Sequence, residues 1–270
     1  MLDAARTAER DCPLCGGRRA ADLPRYSREG WRIVQCAGCG FVFLDNPPGH
    51  AALSEEFAWE KGLDAEKARR LKAAPLMYGV DYATRFRNGL FQRTDMQKYV
   101  DWFGAGGNVL DVGCASGGRI TAPFTPFGIE ISRALAERAD ADMRARGGRC
   151  VHGPGAEAIW EFEPGLFDGI VMRSYLEHEE QPLRVLEGAH RALKDSGAVY
   201  VKVPNWGSVN RRVTGGQWCG VRLPDHVNYF TPASLRAMAR RAGFGVEIKN
   251  PLNLAFDDNI HALLRKRAAN

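Results

Sequence analysis

The sequence predicts an α/β fold in which a doubly wound, mainly parallel sheet follows a small N-terminal lobe. After Gly107 short apolar runs alternate with segments of helical pattern. The apolar runs lie at 108–112, 127–131, 149–152, 167–172, 197–203 and 244–249, and the helical segments at 132–146, 182–194 and 232–242. This alternation is typical of parallel strands covered by helices. The second observation is the run VLDVGCASGG (Val109–Gly118), in which an apolar strand ends in an acid and a loop of small residues.

The two ends of the chain predict further elements. The last stretch, 259–267, follows the preceding apolar run too closely for a helical crossover, so we expect an antiparallel strand. Residues 46–104 are expected to form a linker and a helical cap between a lobe at 1–45 and a main domain at 105–270. The cap segment is rich in basic residues: Lys67, Arg69, Arg70, Lys72, Arg85, Arg87, Arg93 and Lys98. A solvated helix face is expected for them, and an anion-binding surface is the alternative.

Four of the seven cysteines form two C-x2-C pairs, Cys12 with Cys15 and Cys36 with Cys39, separated by twenty residues. Each pair can present two thiolates from one tight turn, and four thiolates in tetrahedral geometry suit Zn²⁺. No ligand position remains open for water, so the sequence predicts a structural zinc site. The other cysteines, Cys114, Cys150 and Cys219, are expected to be small apolar fillers.

Composition excludes several classes of protein. The chain has 270 residues, a formal net charge of +5 and 45% hydrophobic residues, which is enough for a full core and a small appended lobe. The first eleven residues are too polar for a signal peptide, and no apolar run approaches the ~20 residues that span a bilayer. We therefore expect a soluble, cytoplasmic protein.

The glycine loop indicates the kind of ligand. A phosphate-binding P-loop would need Gly-Lys-Ser/Thr, which is absent from this loop. A dinucleotide loop would set amides against a pyrophosphate, and Asp111 would be a poor neighbour for it. The same carboxylate suits a ligand with an ammonium and a sulfonium group, which is S-adenosylmethionine. Glu130, at the end of the next predicted strand, can bind ribose hydroxyls.

Four segments in this order resemble the class I S-adenosylmethionine-dependent methyltransferases: VLDVGCASGG, GIEIS, FDGIVMRSYLEH and HRALKDSGAVYVKVPN. The resemblance covers roughly residues 105–267. With the four-cysteine lobe, the chain is similar to bacterial methyltransferases that modify sugars, surface glycans and secondary metabolites. The fold implied is a Rossmann-like seven-stranded sheet with an antiparallel last strand, preceded by a zinc-ribbon-like lobe.

The resemblance also implies cofactor contacts. The methionine end would lie on Asp111, Gly113, Ala115 and Gly117, and the ribose on Glu130. The adenine would meet the loop 152–158, in which relatives often carry an acid where this chain has Pro154. Ala156 and Glu157 are the residues expected to serve there, through a main-chain carbonyl or the Glu157 carboxylate. Arg173, at the end of the fourth predicted strand of the main domain, completes the expected cofactor set.

Two imidazoles are candidate bases for the methyl acceptor. His178 follows the fourth strand in RSYLEHEE, although Leu176-Glu177-His178 could instead only shape the turn. His226 lies in a long segment, 204–235, which we expect to form a substrate lid because of its aromatic residues. Tyr229 adds a phenol beside it. His226 could alternatively satisfy a loop carbonyl.

Together these residues predict methyl transfer to a small-molecule or glycan acceptor, most often a hydroxyl. The alternative is an RNA methyltransferase that binds the phosphate backbone of RNA through the zinc lobe and the basic helices. A non-catalytic binding protein is the third possibility, and the presence of both Asp111 and Glu130 argues against it.

Overall fold

The computed structural model describes residues 9–48 and 93–267. The N-terminal lobe holds three short strands, β1 (Ala20–Asp22), β2 (Ile33–Cys36) and β3 (Val42–Leu44), which form an antiparallel meander. Most of the predicted linker and helical cap, 46–104, with its basic residues up to Arg87, falls on residues 49–92, outside the described residues. The described end of that range contains the helix Asp95–Phe103. Within the described residues, no helix is long and apolar enough to cross a membrane.

The main domain alternates strands and helices as the sequence predicts. Its strands are β4 (Gly107–Val112), β5 (Phe124–Glu130), β6 (Arg149–His152), β7 (Phe167–Arg173), β8 (Leu193–Pro204), β9 (Asn228–Tyr229), β10 (Phe244–Ile248) and β11 (Asn259–Lys266). Its helices are α1 (Asp95–Phe103), α2 (Arg133–Arg144), α3 (Gly155–Ala158), α4 (Pro182–Ala192), α5 (Val209–Thr214) and α6 (Pro232–Arg241).

Seven strands form one sheet in the order β10-β11-β8-β7-β4-β5-β6. The ladders from β8 through β6 are parallel, whereas β11 runs antiparallel to both β8 and β10. The predicted Rossmann-like sheet with an antiparallel last strand is therefore confirmed. The central strands are buried on both faces because helices cover them, as expected for parallel strands.

Several boundaries differ from the prediction. Strand β5 begins at Phe124 rather than at 127, and β8 begins at Leu193 rather than at 197. Helix α4 therefore ends at Ala192. Residues 113–123, between β4 and β5, contain no helix, in agreement with the short and proline-containing sequence of this crossover.

The first described helix of the main domain, α1, begins at a capping box. The Thr94 side chain accepts from the Gln97 amide, and the Gln97 side chain accepts in return from the Thr94 amide. Tyr99 on this helix is fully buried, and its ring stacks on Phe103 at 5.6 Å and packs against Tyr200 of β8 at 6.0 Å. Helix α1 therefore packs against the sheet.

The segment 204–235, predicted to form a substrate lid, is anchored to the N-terminal lobe, and its role as a lid stays a prediction. It contains helix α5 and strand β9, and β9 pairs with β3 of the N-terminal lobe as the fourth strand of that small sheet. The aromatic residues expected to line a lid are buried instead in a cluster shared with the lobe, which includes Tyr26, Trp31, Trp206, Trp218 and Tyr229. Their apolar area stabilises the contact between lobe and domain.

Candidate active site

The predicted cofactor loop follows β4 directly and lies at the carboxyl end of the parallel sheet. Gly113 has φ +74°, and a Cβ placed there would lie 2.9 Å from the Tyr175 ring. Gly117 also has a positive φ, and a Cβ placed there would lie 3.6 Å from Ala139 and Met143 of α2, an ordinary contact distance. Small residues at these positions let the backbone turn sharply and leave room beside it for a ligand.

Asp111 is buried at the end of β4, with 1% of its surface exposed. Its Oδ1 accepts from Arg119 Nη1 at 2.7 Å, whereas its Oδ2 is buried and has no hydrogen-bond partner among the described residues. Burial raises the pKa of Asp111 to about 6, and the Arg119 charge opposes this rise. An unpartnered carboxylate oxygen beside a glycine loop fits the ammonium group of S-adenosylmethionine.

Glu130 ends β5 and holds the glycine loop. One carboxylate oxygen accepts from the Ala115 amide at 2.8 Å, and the other accepts from the Ser132 amide at 2.9 Å. Ala115 has φ +51°, so this hydrogen bond fixes an uncommon backbone conformation in the loop. Each oxygen retains a second lone pair that can accept from a ribose hydroxyl.

The remaining predicted cofactor residues lie around this loop. Ala156 is buried on the short helix α3, and its carbonyl accepts from Arg184 Nε at 2.9 Å, while Glu157 is exposed. Arg173 ends β7 and is paired with Asp95 of α1. Contact of these three residues with the cofactor stays a prediction.

A second group of polar side chains lies where the segment after β7 meets the segment before β9. His178 Nδ1 lies 2.9 Å from the Asp225 carbonyl oxygen and 3.1 Å from its carboxylate Oδ1. Arg222 pairs with the other carboxylate oxygen at 2.7 Å. Burial opposes charge on His178, but the adjacent Asp225 carboxylate outweighs it and raises the pKa of His178 to about 9.

His226 lies beside His178, with 4.7 Å between the ring centroids and the rings nearly perpendicular. Its Nδ1 donates to the Gly220 carbonyl oxygen at 2.8 Å, which leaves Nε2 as the nitrogen with a lone pair. Burial holds the pKa of His226 well below its usual value. Burial therefore favours the neutral imidazole, and a loop carbonyl orients it.

Glu177 completes this group, which we call the acceptor cluster (Glu177, His178 and His226, with Asp225 behind His178). Glu177 is 1% exposed, burial raises its pKa, and its Oε2 has no hydrogen-bond partner among the described residues. One ligand atom from each of Glu177, His178 and His226 lies within 4.8 Å of the others. Tyr175, two residues before Glu177, touches the cofactor loop, so the cluster is linked to that loop by a short segment.

Tyr229 differs from the two imidazoles. Its ring packs on Trp206 at 5.0 Å inside the aromatic cluster, and its hydroxyl is buried without a hydrogen-bond partner among the described residues. Burial raises the pKa of this phenol. A catalytic role for Tyr229 stays a prediction, which these surroundings do not favour because a buried phenol gives up its proton reluctantly.

The sequence reasoning missed Arg119 as a partner of Asp111. It also missed Arg10, whose buried guanidinium donates to the carbonyl oxygens of Leu44 and Glu180. Arg119 stands directly after the glycine loop, so its place in the sequence offered a signal. Arg10 lies in a polar N-terminal stretch with no pattern, and only the fold brings it to the segment before β9.

The four predicted zinc ligands meet in the N-terminal lobe. The Sγ atoms of Cys12 and Cys39 are 3.6 Å apart, those of Cys15 and Cys36 are 3.5 Å apart, and all four lie within 4.8 Å of one another. A tetrahedral ion with Zn–S bonds of ~2.3 Å requires sulfur separations of about 3.8 Å. The four thiols therefore fit zinc.

The sheet order and the buried acid beside a glycine loop define the class as S-adenosylmethionine-dependent methyltransferases. Residues 84–247 match the family model described as "Methyltransferase domain". The chain belongs to this family and is a methyltransferase.

Curated relatives agree with this class. The chain is 29% identical over 184 residues to a ubiquinone biosynthesis O-methyltransferase of Ralstonia nicotianae, a match that covers 60% of this chain and 77% of the relative. It is 29% identical over 185 residues to the protein of the same name from Thiobacillus denitrificans, covering 60% and 79%. A solved SAM-dependent methyltransferase from Archaeoglobus fulgidus is similar with a TM-score of 0.48 at 16% identity, covering 63% of this chain and 91% of that one.

Proposed function

We propose that the protein transfers a methyl group from S-adenosylmethionine to a hydroxyl of a small-molecule or glycan acceptor, and that the acceptor cluster receives this hydroxyl. The observation that carries the proposal is the convergence of two imidazoles and a buried carboxylate at the carboxyl end of the sheet. A basic amine acceptor would not need such a group, because its nitrogen is nucleophilic without assistance. The named curated relatives, which are O-methyltransferases, support the same choice of atom.

The cofactor supplies the methyl group. The acceptor oxygen forms a bond to the methyl carbon, the carbon–sulfur bond breaks, and its electron pair remains on sulfur as a neutral thioether. The hydroxyl proton leaves toward the acceptor cluster. Because the displacement needs the oxygen, carbon and sulfur in line, the principal contribution of the protein is to align the two substrates.

In this proposal the residues around the glycine loop hold the cofactor. Asp111 Oδ2 accepts from the ammonium group, and Glu130 accepts from the ribose hydroxyls while it keeps its bonds to Ala115 and Ser132. Arg119 already faces Asp111 and has a guanidinium that can pair with the methionine carboxylate. Gly113, Ala115 and Gly117 leave space for the methionine chain.

The four cysteines take a structural role. A zinc ion on Cys12, Cys15, Cys36 and Cys39 would fix the two turns that carry them, and β2 and β3 connect these turns to β9. Because β9 begins two residues after His226, zinc binding supports the segment that carries one of the candidate bases.

Labelled cofactor tests the proposal. The purified full-length protein is incubated with methyl-labelled S-adenosylmethionine and an extract of its source cells, and the extract is then separated into RNA, protein, and small-molecule and glycan fractions. We expect label in the small-molecule and glycan fraction. Mild base should not release the label, as it would from a methyl ester, and analysis of the product should place the methyl group on oxygen and not on nitrogen. Label in RNA would replace the proposal with the RNA alternative, whose basic segment lies mostly outside the described residues.

A further inference from the structure

We propose that Glu177, His178 and His226 together bind one divalent transition-metal ion, at a site separate from the four cysteines. The inference deepens the proposed function, because the ion would lie where the acceptor hydroxyl binds, and its part in catalysis rests on that function. Binding of the ion itself does not depend on it.

The ligand geometry supports the site. Two imidazole nitrogens and one carboxylate oxygen lie within 4.8 Å of one another, although the three residues come from two segments forty-nine positions apart. Three ligands around one ion at ~2.1 Å lie roughly 3 to 4 Å apart, so a small adjustment of side-chain rotamers brings the three atoms onto one centre. Two histidines and one carboxylate leave open coordination positions for oxygen ligands.

The groups behind the ligands have the arrangement found around metal-binding histidines. Such histidines donate their second ring N–H to a carboxylate or a backbone carbonyl, which fixes the tautomer and points the other nitrogen at the metal. Both arrangements occur here. His178 Nδ1 is held by Asp225, and His226 Nδ1 is held by the Gly220 carbonyl oxygen. Each imidazole therefore directs Nε2 away from its anchor, and His178, whose pKa is raised to about 9, must lose its proton when it binds the ion.

Glu177 is the observation that points most directly to a missing partner. Its side chain is 99% buried, and Oε2 accepts no hydrogen bond from the described residues. A buried carboxylate oxygen without a partner carries a desolvation cost that no hydrogen bond offsets. Its backbone is also fixed, since the Glu177 carbonyl accepts from the amides of Val227 and Asn228 at 2.7 and 3.1 Å. A cation bound between Glu177 and the imidazoles would remove that cost.

The ligand set selects the kind of metal. Imidazole favours Zn²⁺, Fe²⁺, Ni²⁺ and Cu²⁺, whereas Mg²⁺ and Ca²⁺ prefer oxygen ligands alone. The cysteine site has four thiolates and no open position, so the two sites differ in both chemistry and accessibility. An ion at the acceptor cluster would hold the acceptor oxygen and lower the pKa of its hydroxyl. The imidazoles would then be ligands rather than proton acceptors, so the proton would pass to solvent instead of to the cluster.

Metal binding is measured first on the full chain with its cysteine site filled with zinc. Ni²⁺ is titrated in and followed by calorimetry, and Cu²⁺ at one equivalent is examined by electron paramagnetic resonance for nitrogen hyperfine coupling. We expect one additional ion per chain and coupling to two imidazole nitrogens. The proposal would be overturned if the zinc-loaded protein bound no second ion. It would also be overturned if bound Cu²⁺ showed no hyperfine coupling to imidazole nitrogen.

Variants locate the site. Glu177→Gln and His226→Gln should each weaken Ni²⁺ binding by roughly 100-fold. Glu187→Gln and His190→Gln, on α4 and outside the cluster, should leave it unchanged. Equal affinity in all four variants would contradict the assignment. The nitrogen coupling of the wild-type protein decides the question if a cluster variant does not fold.

Activity then separates this inference from the proposed function. Methyl transfer that continues at full rate in protein stripped of the second ion, with lobe zinc retained, overturns the catalytic role of the ion and leaves the O-methyltransferase proposal standing. The opposite result is also possible to recognise: the protein binds an ion through both imidazoles but transfers no label to a hydroxyl acceptor. That result would support the metal site and overturn the proposed function.

Discussion

Arg10, in the N-terminal lobe, donates from Nη2 to the side-chain oxygen of Asn228 at 3.1 Å, across 218 positions of the chain. Asn228 in turn donates to the carbonyl oxygens of Leu176 and Glu179 at 2.8 and 2.6 Å. One buried network therefore joins the lobe, the segment after β7 and the segment after His226. Through it the lobe holds in place the two segments that carry the acceptor cluster.

Loss of Arg10 should therefore destabilise the protein. Arg10→Ala removes a guanidinium that donates to oxygens of Leu44, Glu180, Val227 and Asn228. Of these, the Val227 carbonyl keeps a second donor, the Leu44 amide. We expect the free energy of unfolding to fall by about 3 kcal/mol, measured by urea denaturation. Arg18→Ala, in a side chain that is 87% exposed, is the control and should change it little. Equal stability of the two variants would show that the network contributes nothing.

Removal of zinc ligands should unfold the lobe. Cys12→Ser or Cys36→Ser is expected to abolish the binding of about one Zn²⁺ per chain, because a site of four thiolates loses much of its affinity with one of them. Metal analysis gives the zinc content, and the fluorescence of Trp31 and Trp218 reports the aromatic cluster. Cys150→Ser, outside the lobe, should retain zinc. Retention of zinc in the lobe variants would refute the site.

Glu130 should control affinity for the cofactor. Glu130→Ala removes the acceptor for the Ala115 and Ser132 amides and for the ribose hydroxyls together. We expect S-adenosylmethionine to bind roughly 100-fold more weakly, equivalent to about 2.7 kcal/mol, by calorimetry. Glu137→Ala, exposed on α2, is the matched control. An unchanged affinity in Glu130→Ala would remove the basis for the ribose assignment.

Two glycines of the same loop should respond differently to alanine. Gly113 and Gly118 both have positive φ, but only at Gly113 would a Cβ meet a neighbour, the Tyr175 ring at 2.9 Å. Gly118→Ala should cost about 1 kcal/mol of unfolding free energy through backbone strain alone. Gly113→Ala should cost more and also weaken cofactor binding, because Tyr175 or the loop must move. Equal effects of the two substitutions on cofactor affinity would contradict this account.

The sequence predicted what local patterns encode. Apolar runs separated by helix-length segments gave the seven strands, and Asp111 and Glu130 were identified because each ends a strand at the same edge of the sheet. The spacing of the paired cysteines predicted the N-terminal lobe. His178 and His226 were each selected for their chemistry, and the fold then brought their rings to 4.7 Å.

The rest depended on contacts between distant segments. Strand β9 has two residues, too few for a periodic pattern, and it forms only because β3 offers an edge. Trp206 and Trp218 were assigned to a lid because no local signal shows that Trp31 and Tyr26 of the lobe bury them. Glu177 was named only as part of the segment Leu176-Glu177-His178, since burial of a carboxylate oxygen without a partner is a property of the folded chain.

The central claim is that the acceptor cluster activates the methyl acceptor while the glycine loop holds the cofactor. Its most direct test is the rate of label transfer from S-adenosylmethionine by the wild-type protein and by His178→Ala, His226→Ala and His190→Ala, with cofactor affinity measured on each. We predict that the first two variants lose roughly 100-fold or more in turnover with cofactor affinity unchanged, and that His190→Ala retains wild-type turnover. Wild-type turnover in both cluster variants would contradict the account.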